Sequence, residues 1–212
     1  MPHTLEDIYQ KLLSHFGPQH WWPGDTPFEI CVGAILTQNT AWSNVEKAIA
    51  NLKNNQLLSF ERLLATPAQS VAELIKPAGY FNIKTKRLKS FLGAIKREQG
   101  DFDTLSSLST SSLREFLLSI SGIGPETADS MMLYAFERPV FVVDAYTNRM
   151  LTRHSLVDEE ADYFRLQEYF EDHLEKDVAL FNEYHALIVK LGKEFCRKSN
   201  PKCEECPLRE EQ

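Results

Sequence analysis

The stretch Ser119-Ile-Ser-Gly-Ile-Gly-Pro-Glu-Thr-Ala-Asp129, and after it Pro139-Val-Phe-Val-Val-Asp-Ala-Tyr146, decides how the chain is read. Gly122 and Gly124 bracket Ile123 in a turn with little room for side chains. Pro125 then stands where a new helix would begin, a position at which its fixed φ fits and its missing N–H costs nothing. Upstream, Ser112 and Glu115 have the spacing of a capping box, and Leu113, Phe116, Leu117 and Ile120 recur at helical intervals. The segment reads as helix, hairpin, helix. The N–H groups of Gly122 to Gly124 and the following helix N-terminus would suit a DNA phosphate. Downstream, the apolar run Val140–Val143 should bury the chain and leave the Asp144 carboxylate at its rim.

Outward from the hairpin, helical periodicity dominates, and no segment pairs strand alternation with a hairpin turn. The pattern predicts helices near 5–16, 27–37, 42–54, 58–65, 68–76, 84–98, 112–120, 125–136, 145–153, 161–173 and 178–195. The chain of 212 residues can hold one sizeable core or two small ones, and its 43% hydrophobic and 25% charged content is that of a globular protein. No apolar stretch approaches a membrane span, and the N-terminus lacks the pattern of a signal peptide, so a cytoplasmic location is expected. A formal charge of −7 argues against a nonspecific nucleic-acid coat. Basic residues are nevertheless clustered: Lys84, Lys86, Arg87, Lys89, Lys96 and Arg97 on one predicted helix, and Lys190, Lys193, Arg197 and Lys198 near another. Each cluster alone reads as a solvated face. Beside a hairpin motif, they also suit a DNA-facing surface.

These residues resemble the helix-hairpin-helix DNA glycosylases of the endonuclease III superfamily, whose hairpin reads Gly-x-Gly-x-Lys-Thr-Ala and whose catalytic aspartate follows in Val-Asp-Thr. The resemblance implies an all-α fold of two helical lobes with the active site in the cleft between them. One lobe would be a six-helix unit over 24–136, with the helix-hairpin-helix at about 112–136. The other would join 1–23 to 137–212 and end in a Cys-rich loop at 196–206. Asp144 matches the catalytic aspartate, while Glu126 stands at the position of the lyase lysine. Gly122, Ile123, Gly124 and Thr127 would contact DNA. The partner implied is double-stranded DNA containing damaged bases, met by a monomer and not by a membrane.

Further matches refine the expectation. In Leu36-Thr-Gln-Asn-Thr40, Gln38 would fill the space left by a flipped base, although the segment also reads as a polar turn with Thr40 as N-cap. In Gly79-Tyr-Phe-Asn-Ile-Lys84, a second DNA-probing loop, Tyr80 would wedge beside the orphaned base, since a ring can replace lost stacking, and Phe81 reads as a half-buried anchor. Trp21, Trp22 and Pro23, with Trp42 after the first turn, look like the base pocket of the 3-methyladenine glycosylase branch, which also carries Glu at the lysine position. A flat aromatic surface attracts a cationic alkylated purine by about 1–2 kcal/mol. Tryptophans are equally ordinary core residues.

A bifunctional enzyme needs a nucleophilic amine to form a Schiff base, and Glu126 cannot supply one. The remaining route is monofunctional hydrolysis, with the Asp144 carboxylate stabilising an oxocarbenium-like sugar and orienting water. Alternatives are an endonuclease III-like glycosylase for other damaged bases and a non-catalytic damaged-DNA-binding module. Cys196, Cys203 and Cys206 have the spacing C-x6-C-x2-C, which suggests a metal more than disulfides and also leaves open a helical redox protein. The superfamily's [4Fe–4S] site adds a fourth cysteine at C-x5, which here is Gln212. The expectation is that catalysis requires no cofactor and that the three cysteines are ligands or the remnant of a cluster. Cys31, far from them on an apolar helix, reads as core.

Overall fold

In the computed structural model, residues 4–21 and 24–209 are described, and they form helices and turns with no strand. In chain order the helices are α1 (Leu5–Phe16), α2 (Pro27–Leu36), α3 (Trp42–Asn54), α4 (Phe60–Ala65), α5 (Ala68–Leu74), α6 (Phe81–Glu98), α7 (Thr110–Ser119), α8 (Pro125–Tyr134), α9 (Ala145–Arg153), α10 (Tyr163–His173) and α11 (Val178–Glu194). No helix is long and apolar enough to cross a membrane among the described residues. The chain divides into two units, Met1–Trp21 with Pro139–Gln212, and Trp22–Arg138.

In the central unit, α2 is buried on every side, with Thr26 capping its first turn and Pro27 opening it. Its residues Ile35 and Leu36 join Val45, Leu52, Leu63, Phe91 and Leu92 in a core from which water is excluded. An aromatic chain closes one end, Phe28 lying edge-on to Phe60 and Phe102 at 6.4 and 5.2 Å between centroids. Helices α7 and α8 are fastened by a two-pronged ion pair. Arg114 Nε and Nη2 donate to Asp129 Oδ1 and Oδ2 at 2.7 and 2.9 Å, and Asp129 is fully buried. The cap of α7 differs from the sequence expectation. Ser109, not Ser112, caps the helix, and its hydroxyl accepts the Ser112 N–H at 3.1 Å. The helix begins one turn early because Thr110 and Ser111 extend it without cost to any buried group.

In the other unit, α1 opens with a capping box between Thr4 and Asp7. The run Val140–Val143 is buried as expected but pairs with no strand. Its backbone is satisfied by side chains of α10: Gln167 Nε2 donates to the Phe141 carbonyl at 2.7 Å, and the Phe141 N–H donates to Glu171 Oε1 at 3.0 Å. Phe141 stacks on Phe170 with centroids 3.8 Å apart. Tyr184 of α11 donates its hydroxyl to the Leu5 carbonyl at 2.8 Å, tying the N-terminal helix to the C-terminal ones.

Candidate active site

Asp144 ends the buried run and is the N-cap of α9. One carboxylate oxygen, Oδ1, is consumed by the cap: it accepts the Tyr146 and Thr147 N–H groups at 2.9 and 2.8 Å and the Thr147 hydroxyl at 3.0 Å. The other, Oδ2, lies 3.5 Å from His185 Nε2. Burial pushes the carboxyl pKa up, but His185 and the Thr147 N–H and hydroxyl outweigh it, and the net shift is below the ordinary value. Asp144 is therefore held ionised and fixed in one rotamer. His185 escaped the sequence reading, because a histidine among Phe181, Tyr184 and Ile188 on a buried helix face carries no signal of its own. The close fit of Tyr146 on α11 depends on Gly192, where an added Cβ would come within 2.1 Å of Tyr146 Cδ1.

The hairpin separates its two glycines. Gly122 has φ +93, and a Cβ there would meet Arg87 Cγ at 2.5 Å, so both conformation and space demand glycine. Gly124 is the extended N-cap of α8, with φ −94, and a Cβ there would meet nothing within 4 Å. The Ile123 N–H donates to the Ile120 carbonyl at 3.0 Å, and the Ile123 and Thr127 side chains are buried. The Ile123 N–H is thus spent within the hairpin, which corrects the expectation that the N–H groups of Gly122 to Gly124 are all exposed. Backbone remains for a phosphate: the Gly122 and Gly124 amides and the first turn of α8. Glu126 is exposed in that turn, where a carboxylate suits the helix dipole.

Gln38 does not hang free in its turn. Its Nε2 donates to the Gly122 carbonyl at 3.0 Å and to the Thr127 hydroxyl at 2.9 Å, and its Oε1 accepts from Arg87 Nη1. Thr40 is not the cap of α3, which starts from Ala41 without a side-chain cap. Instead the Thr40 hydroxyl donates to the Ala78 carbonyl at 2.6 Å and accepts from Lys84 Nζ at 2.7 Å. Lys84, only 1% exposed, also donates to the Leu36 and Ala78 carbonyls at 2.8 and 2.7 Å. Burial and the nearby Arg87 draw its pKa down to about 8.

The second probing segment is shorter than expected. The sequence reading placed a loop over 79–84, but α6 already starts at Phe81. The reversal is made by two residues with positive φ, Gly79 at 67° and Tyr80 at 44°, and it projects Tyr80 outward. Tyr80 is 68% exposed, and Ile83 one turn on is 53% exposed. Phe81 is half-buried. Of the α6 basic cluster, Lys86, Lys96 and Arg97 are exposed, and the reading as a surface needs correction for the other three. Lys84 is an internal staple, Arg87 holds Gln38, and Lys89 Nζ donates to the Leu63, Leu64 and Thr66 carbonyls at the end of α4. Near α11, Lys193, Arg197 and Lys198 are exposed, while Lys190 lies over the Phe16 ring.

Trp42 is half-buried at the start of α3, its ring edge against Gly33, where a Cβ would stand 3.4 Å from Trp42 Cη2. Trp21 is half-buried in the other unit. Trp22 and Pro23 lie outside the described residues, as does Gln212. Cys31 is fully buried, and burial pushes its thiol well above the ordinary range. Cys196 is buried, Cys206 half-buried and Cys203 exposed. Burial, and the neighbouring Cys196 and Cys203, push the Cys206 thiol up against the Leu208 N–H that favours its thiolate. Among the described residues, no three His, Cys, Asp or Glu side chains are placed to hold a metal ion. Three thiols fall short of the four-thiolate set of a [4Fe–4S] cluster. The loop is instead held by arginines of α9. Arg149 Nε donates to the Cys196 carbonyl at 2.7 Å, and Arg153 Nη1 donates to Cys196 Sγ and to the Arg197 carbonyl at 3.3 and 2.8 Å.

Residues 32–176 match the model of the HhH-GPD superfamily base excision DNA repair protein. The chain is 48% identical over 205 residues to "Putative DNA repair glycosylase MJ1434" of Methanocaldococcus jannaschii, covering 96% of this chain and 93% of that one. It is 27% identical over 207 residues to endonuclease III of Thermotoga maritima, covering 97% and 90%. Among solved structures, the H. pylori 3-methyladenine DNA glycosylase (MagIII) bound to 1,N6-ethenoadenine matches with a TM-score of 0.78 and 30% identity, over 91% of this chain and 98% of that one. An endonuclease III–DNA complex shares the fold at a TM-score of 0.82 and 18% identity, over 97% and 93%.

Proposed function

The chain belongs to the HhH-GPD superfamily of base excision DNA repair proteins and is a DNA glycosylase, and we propose that it hydrolyses alkylated purines such as 3-methyladenine from double-stranded DNA, as a monomer and without strand cleavage. One observation carries the chemistry: Asp144 is fixed through Oδ1 by the cap of α9, kept ionised, and holds Oδ2 toward His185 with no backbone donor on it. A rigid carboxylate is what an oxocarbenium-like sugar needs beside it. Water oriented by Asp144 attacks C1′ and gives a proton to its carboxylate, the N-glycosidic bond breaks, and its electron pair stays with the base. A cationic alkylated purine leaves as a neutral molecule, so no strong general acid is required.

Four further features support the proposal. Glu126 stands where a lyase would need an amine, which removes the Schiff-base route. Trp42 offers a flat ring for a cationic base, and Tyr80 is an exposed ring on a rigid turn, suited to replace the stacking of an extruded nucleotide. The similar MagIII structure is that of a 3-methyladenine glycosylase. Similarity to endonuclease III at 27% identity supports a second reading, a glycosylase for other damaged bases. We hold that catalysis uses no cofactor, because Asp144 supplies the charge. Separately, because Cys196, Cys203 and Cys206 fall short of four thiolates, the purified protein should lack the visible charge-transfer absorbance of an iron–sulfur cluster, and stoichiometric iron and sulfide would show that another ligand completes the site.

The test is direct. Duplex DNA methylated with dimethyl sulfate should release methylated purines on incubation, with no strand cut before alkali and no imine trapped by borohydride. Release of oxidised pyrimidines instead would favour the second reading, and efficient trapping would overturn the monofunctional one.

A further inference from the structure

Gln38 is held by hydrogen bonds from three directions. Arg87 reaches it from α6, the Gly122 carbonyl from the hairpin and the Thr127 hydroxyl from α8. Turning the amide over would set its NH2 against a guanidinium and its oxygen against a carbonyl, two repulsive pairs in place of two attractive ones. The Arg87 stem also lies flat on Gly122, so close that only glycine fits beneath it. Arg87 thus touches both the side chain proposed to enter the base gap and the turn proposed to hold the backbone.

We infer that Arg87 is a positioning residue that orients the Gln38 amide and couples it to the hairpin, so that gripping the backbone and filling the gap occur together. This rests on the reading of Gln38 as the gap-filling residue. Arg87 acts through Gln38, and its charge is not spent on a phosphate. A hairpin drawn onto the backbone carries the Gly122 carbonyl, and with it one anchor of Gln38.

The experiment compares binding to a duplex with a tetrahydrofuran abasic analogue against an undamaged duplex, for the parent, Arg87→Met, Arg87→Lys, Gln38→Ala and the Arg87→Met/Gln38→Ala double variant. The ratio of the two affinities is the readout, and a loss of folded protein scales both and leaves it unchanged. Arg87→Met keeps the apolar stem over Gly122. It should lower the ratio by about tenfold, as losing a hydrogen bond to a charged group does, with the salt dependence unaltered. Arg87→Lys, which retains the charge but not the planar fork, should behave likewise. On the Gln38→Ala background, Arg87→Met should add less than about twofold. Multiplicative losses, or recovery by Arg87→Lys with a salt slope reduced by about one in Arg87→Met, would show a phosphate contact and overturn the inference. A parent with no preference for the abasic duplex would overturn both the gap-filling role and this one, whatever bases the protein releases.

Discussion

His185 Nε2 lies 3.5 Å from Asp144 Oδ2, with the two side chains 10% and 14% exposed. When protonated, His185 is the nearest compensating charge for a carboxylate that burial alone would neutralise. Asp144 therefore titrates below its ordinary value of 3.8. A depressed carboxylate contributes stability above its unfolded pKa and loses it as pH falls through the folded one. Asp144 should thus impose no acid limb on base release at pH 5 and above. His185→Gln keeps a donor without the charge and should move the acid limb upward. A pH–rate profile unchanged from the parent would show that Tyr146 and Thr147 suffice to hold the carboxylate.

Asp144→Asn retains a good N-cap, so α9 should form and the protein should melt close to the parent temperature. Base release should fall by about 10²–10⁴-fold, the range expected when a positioned acid–base group is lost. Binding to an abasic-site analogue should survive. Near-normal release would remove Asp144 from the mechanism.

Trp42→Ala should cost about 1–3 kcal/mol of base stacking, or about ten- to a hundredfold in excision. The loss should be largest for cationic methylated purines and smaller for neutral hypoxanthine. Trp42→Phe should restore much of it. Because the ring also packs on Gly33, a melting curve must accompany the rates. A variant that melts normally and excises at the parent rate would reopen the substrate class.

Lys84→Met should destabilise the central unit by about 3 kcal/mol in urea unfolding, since it strips a donor from the Leu36 and Ala78 carbonyls and the Thr40 hydroxyl. The pKa of Lys84, near 8, adds a pH signature. A lysine that binds its proton less well when folded makes stability rise with pH, here between about 8 and its unfolded value. Lys84→Met should flatten that rise. A variant as stable as the parent would mean that water replaces the ammonium.

The sequence alone determined the helices, to within about a turn at their ends. Periodicity and punctuation placed each helix, Pro125 opened α8, and the apolar run before Asp144 is buried as its composition required. These are local or amphipathic signals, written in neighbouring residues. What only the tertiary structure decided was where polar side chains spend their hydrogen bonds. Lys84, Arg87 and Lys89 look alike in sequence, a basic face; folded, Lys84 and Lys89 satisfy carbonyls at helix ends and Arg87 orients Gln38. His185 reads as one more residue on a buried helix face until α11 carries it to Asp144. A donor's partner is chosen by the nearest unsatisfied acceptor in space, and that acceptor lies dozens of residues away, where no spacing rule reaches.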